Sequence, residues 1–79
     1  MTKLSEVDIP EWRPLEAVLA ACECADFMYM GRSGEIVLYK HSRTRRYLNI
    51  DRRTGCFYRF VSGQMCEIDR QEALDYVYG

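Results

Sequence analysis

The chain has 79 residues, 48% hydrophobic and 29% charged, with a formal charge of −1. That length and balance argue against disorder and predict one folded domain over residues 1–79. The longest unbroken apolar run, Ala17 to Cys22, is far below the ~20 residues a spanning helix needs, so no membrane partner is expected. The acid-bearing start "MTKLSEVDIP" lacks the apolar core of a signal peptide, which points to a cytoplasmic protein with reduced cysteines.

The first predicted element is a helix. Asp8 and Glu11 are spaced as a capping box, Pro10 suits a first turn, and Pro14 moves the regular start downstream. From there Leu15, Val18, Leu19 and Cys22 recur at helical spacing and form one buried stripe, with Trp12 folding over its end. Cys22 and Cys24 fall two apart in that helix, on nearly opposite sides, and no Cys-x-x-Cys pair is present. The four cysteines therefore read as thiols, not as a metal site.

After Asp26 the period changes to two. Phe27–Gly31, Glu35–His41, Arg45–Asp51, Cys56–Val61 and Met65–Ile68 read as strands joined by linkers of three or four residues. Such short linkers make hairpins, so the sheet is an antiparallel meander of four to five strands. A second capping box, Asp69 and Glu72, opens a short C-terminal helix whose apolar side is Ala73, Leu74 and Val77. The fold class is α+β, an N-terminal helix, a meander and a C-terminal helix, with both helices on one sheet face.

Register decides which residues the other face presents. Reading "SRT" as a three-residue loop sets His41 against Arg45, Tyr39 against Tyr47, Leu38 against Leu48 and Ile36 against Ile50. The aliphatic residues then gather inside, and Tyr39, His41, Arg45, Tyr47 and Asn49 face outward. Reading "DRRTG" as a type I turn with Gly55 in the left-handed position sends Tyr58 and Phe60 inward and Arg59 outward beside Tyr47. The candidate binding face is therefore Tyr39, His41, Arg43, Arg45, Tyr47 and Arg59.

Charge is gathered there. Lys40 to Arg59 holds seven Lys/Arg and one acid, a net +6, while the rest holds four and eleven, a net −7. Tyrosines and arginines on an open sheet have the composition of an interface core, so a protein partner or a second copy of the chain is the first expectation. Nucleic-acid binding is the alternative, with Tyr39, Tyr47 and Arg59 stacking on bases and Arg43, Arg45, Arg52 and Arg53 on phosphates. The third reading is a small ribonuclease-like enzyme built on His41, the single histidine. With no glycine-rich phosphate loop, nucleophile elbow or paired-carboxylate motif, no catalytic residue or cofactor is assigned, and a non-enzymatic binding module is expected.

Overall fold

A computed structural model describes residues 10–79. The capping box predicted at Asp8 lies outside them. Two single helical turns come first, α1 (Arg13–Glu16) and α2 (Ala21–Cys24), then β1 (Phe27–Ser33), β2 (Ile36–His41), β3 (Tyr47–Asp51), β4 (Phe57–Val61), β5 (Gln64–Ile68) and α3 (Arg70–Tyr78). The five strands form one antiparallel sheet in the order β1-β2-β3-β4-β5. The α+β class and the meander are thus as the alternation predicted.

The single N-terminal helix is not. The chain leaves helical geometry at Ala20, whose φ of −68° and ψ of 158° are extended. Glu23 accepts the Ala20 N–H through Oε1 at 3.2 Å and so starts a second turn. Of the predicted stripe, Leu15 is buried, Val18 and Leu19 are half-buried, and Cys22 is exposed. The break turns Cys22 out and half-buries Cys24, whose thiol pKa is raised, chiefly by burial. Trp12 does reach the core, with its ring 5.6 Å from that of Tyr39.

The strands that form do so for local reasons. Ser62 and Gly63, both at positive φ (49° and 85°), make the two-residue connection between β4 and β5, and two successive left-handed residues match the twist of the flanking strands. At the other end Asp69 Oδ1 accepts the Glu72 N–H at 2.8 Å, the N-cap expected for α3. Leu15, Ala73 and Val77 join Val37, Tyr39, Leu48, Ile50 and Phe57 in one buried cluster. The pairings Tyr39↔Leu48, Val37↔Ile50 and Ile50↔Phe57 put these strand residues on a single face of the sheet.

That face is not the expected one for β2 and β4. Lys40 pairs with Tyr47, Tyr39 with Leu48, Leu38 with Asn49 and Ile36 with Asp51, one residue away from the register that a three-residue loop gives. A slip of one residue reverses every side chain of a strand. Tyr39 (0% exposed) and His41 (2%) therefore lie in the core, and Leu38 turns to the open face. In β4, Phe57 is inside and Phe60 is 62% exposed, again the reverse of the expectation. Only β3 faces as predicted, with Leu48 and Ile50 in and Tyr47 out.

The loop decides the difference. Four residues, Ser42 to Arg45, lie between His41 and Arg46, which close the hairpin, and Arg45 sits at φ 66°. His41 O accepts the Arg45 N–H at 2.9 Å, and the His41 N–H reaches Arg46 O at 2.8 Å. The close approach of Lys40 to Arg46 implied by the shorter loop disappears. Lys40 instead stands over the Tyr47 ring, 5.9 Å from its centroid.

Candidate functional site

The proposed face divides in two. Tyr39 is a core residue whose hydroxyl donates to Glu11 O, and burial raises its phenol pKa above the ordinary value. His41 lies edge-on to Phe27 and Tyr78, at 5.0 and 5.3 Å between ring centroids. Its Nδ1 accepts the N–H groups of Arg43 and Thr44, each at 3.2 Å, which places the ring hydrogen on Nε2. Through Nδ1 it ties the turn that follows β2. Arg43 and Arg45 are exposed on that turn, Tyr47 is exposed on the open face, and Arg59 points to the helix side.

Arg59 meets α3 there. Its guanidinium is 4.1 Å from the centroid of the Tyr76 ring, and that of Arg46 is 5.1 Å away from it. Arg46 Nη1 also donates to Tyr76 O at 2.9 Å. Three other arginines are paired with acids. Arg52 bridges Glu11 (3.1 Å) and Glu35 (3.4 Å), Arg32 approaches Glu11 at 3.8 Å, and Arg53 approaches Glu35 at 3.9 Å. Much of the +6 segment is therefore held by the chain's own carboxylates and carbonyls.

What the sheet leaves open is mostly apolar. The register lines up Met28↔Lys40, Lys40↔Tyr47 and Phe60↔Met65, and continuing the β3–β4 register sets Tyr47 beside Phe60. One row thus crosses all five strands on the face away from the core. Met28 (38%), Tyr47 (37%) and Phe60 stand exposed along it. Lys40 is its one charged member.

The sheet is not closed along that row. Between β3 and β4 only Asn49↔Tyr58 and Ile50↔Phe57 are paired, against five pairs between β4 and β5. The seam ends before Tyr47 and Phe60. A cleft of about 450 Å³ lies there, walled by Leu38, Tyr47, Phe60 and Met65. Ser33, Asn49, Arg59 and Tyr76 supply its polar groups, and none of the lining side chains is a carboxylate. Asn49 is 2% exposed; its Nδ2 donates to Tyr58 O at 3.1 Å, while its Oδ1 has no partner among the described residues.

No family model, curated protein or solved structure matches this chain. Its site is read from geometry alone.

Leu38, Phe60 and Met65 were not expected on the open face, and Asn49, expected to face outward, was not among the candidate binding residues. A signal for them exists in the sequence. "HSRTRR" and "DRRTGC" share Thr at the fourth position, ten residues apart. Giving the first the four-residue turn of the second produces the observed β2 register and exposes the row.

Proposed function

We propose that the chain is a non-enzymatic binding module that packs the open face of its sheet against an apolar surface of a partner protein. The carrying observation is the row from Met28 through Tyr47 and Phe60 to Met65. Aromatic and methionine side chains grouped on an exposed sheet are costly to leave in water and are typical of interface cores. A cytoplasmic location fits this reading and is part of the proposal, as is a second copy of the chain as one form the partner can take.

Nucleic-acid binding uses part of the same surface, because Tyr47 and Phe60 both line the cleft, with Lys40 over the Tyr47 ring and Arg59 at the cleft. It is the second reading, since Arg32, Arg52 and Arg53 are already matched to Glu11 and Glu35. His41, buried and bound through Nδ1, offers no support to the enzymatic one.

A photo-crosslinking residue in place of Phe60 tests the proposal, with the same residue at Arg53 as the control. Protein adducts should form at 60 and not at 53, and Phe60→Asp in the unlabelled chain should compete poorly for them. Sedimentation of the purified chain separates a second copy from a different partner. Amide shifts with single-stranded oligonucleotides that fade as salt rises, with no protein adduct, would replace this reading by the nucleic-acid one.

A further inference from the structure

The cleft at the open β3–β4 seam has a chemistry narrower than its apolar row. Asn49 is held in place by its bond to Tyr58 O, so its amide orientation is settled and Oδ1 is left as a buried acceptor without a donor. Native proteins seldom leave such an atom unpaired. At the same cleft Arg59 is a full positive charge stacked on Tyr76, with no carboxylate beside it among the described residues. Most of the chain's other sheet arginines have been given an acid or a carbonyl. The walls between these two groups are aromatic and thioether, surfaces that favour a flat ring.

We propose that this cleft is the anchor pocket of the interface, and that it takes an aromatic side chain bearing a ring N–H, set next to a carboxylate, from an acidic segment of the partner. The ring lies between Tyr47, Phe60 and Met65, its N–H donates to Asn49 Oδ1, and the carboxylate meets the Arg59 guanidinium. A cleft of about 450 Å³ holds one such ring and leaves the flanking chain outside. Its donor reaches Oδ1 by displacing the side chains that now shield that atom, and Phe60, on the cleft wall, is 62% exposed. Tryptophan is the side chain that meets both demands, and it is the residue most enriched at interface anchors.

The inference rests on the partner-binding reading above but is tested without the partner. N-acetyl-tryptophan is titrated into the chain labelled with ¹⁵N and with ¹³C at the methionine methyls. The comparison probes are N-acetyl-tryptophanamide, which lacks the carboxylate, and N-acetyl-benzothienylalanine, which lacks the ring N–H. N-acetyl-tryptophan should shift the Asn49 side-chain amide and the Met65 methyl saturably, and each comparison probe should bind about fivefold more weakly. Arg59→Gln should erase the difference between acid and amide, and Asn49→Leu the difference between indole and benzothiophene. The probe comparison on the unaltered chain stands even where a variant loses its fold.

Equal affinity for acid and amide, shifts centred on Trp12 and Cys24, or no shift up to about 10 mM probe would overturn the anchor. If those results came with crosslinks at position 60, the anchor would fall and the wider apolar face would stand. Probe binding at Asn49 and Arg59 with no crosslinks would keep the pocket and remove the protein partner.

Discussion

The turns at His41–Arg46 and Asp51–Cys56 have one geometry and two different supports. In each, the first residue closes the hairpin to the sixth (2.8 and 2.9 Å) and accepts from the fifth N–H (2.9 Å in both). A side-chain acceptor at the first position takes the third and fourth N–H groups, and the threonine hydroxyl at the fourth accepts the sixth. The fifth residue is left-handed in both, Arg45 at φ 66° and Gly55 at φ 80°. The second turn is built from residues suited to it, an aspartate and a glycine. The first places histidine and arginine in those positions. Both are also tied from outside, the second to Glu35 O through the Arg52 N–H at 2.8 Å, the first to α3, where Thr44 Oγ1 donates to Val77 O at 2.6 Å and Arg46 binds Tyr76 O. One local shape can thus be built with suited residues at its key positions or without them, where packing supports it.

The largest effect expected from this comparison is at the first position. His41→Ala removes an acceptor for two N–H groups and a ring packed between Phe27 and Tyr78. It should cost about 3 kcal/mol by urea unfolding. Asp51→Ala, which removes an acceptor and no packed ring, should cost clearly less. Equal losses would mean that His41 serves the turn alone and not the core.

The threonines come next. Thr44→Val breaks both the turn and its tie to α3 and should lower stability by about 1–2 kcal/mol. Thr54→Val, with no tertiary bond to lose, should stay within about 0.5 kcal/mol. Hydrogen exchange should show α3 opening faster only in the first variant.

The left-handed position gives a smaller pair of opposite signs. Arg45→Gly relieves a side chain from positive φ and should stabilise by about 0.5 kcal/mol. Gly55→Arg should destabilise by about 1 kcal/mol for the converse reason. Stabilisation by both substitutions would break the equivalence of the turns.

The smallest effect is acid dependence confined to the second turn. The N–H groups of Arg53 and then Thr54 hold the Asp51 carboxyl pKa below its ordinary value. A lowered folded-state value stabilises the fold above the unfolded carboxyl pKa, ~3.9, and that contribution is lost as pH falls through the folded value. Exchange of the Arg53 and Thr54 amides should therefore speed, relative to the rest of the sheet, below about pH 4. Asp51→Asn, which keeps an acceptor but not the charge, should remove this dependence.

The difference between the turns also accounts for what could be read in advance. Gly55 announced its own left-handed position and Asp69 its own cap, because a glycine between strands and an aspartate before a helix act through their nearest neighbours. Arg45 announced nothing, since an arginine at positive φ has no local signature. Even at the second turn, recognising Gly55 did not settle which way β4 faced, and Phe57 took the inward place expected for Tyr58. The candidate face inherits the error: Tyr47 is exposed as expected, Tyr39 and His41 lie in the core, and Phe60 stands exposed where an inward position was expected.

By itself the sequence determined the strands, their order and the C-terminal cap, all set by residue spacing within a few positions. It could not choose between the two faces of β2. Ile36, Leu38 and Lys40 alternate with Val37, Tyr39 and His41, and either set can be buried without violating a period of two. The choice belongs to contacts across the fold. Tyr39 reaches Glu11 O, Thr44 reaches Val77 O and Arg46 reaches Tyr76 O, spans of 28, 33 and 30 residues, and these bonds form together only in the observed register.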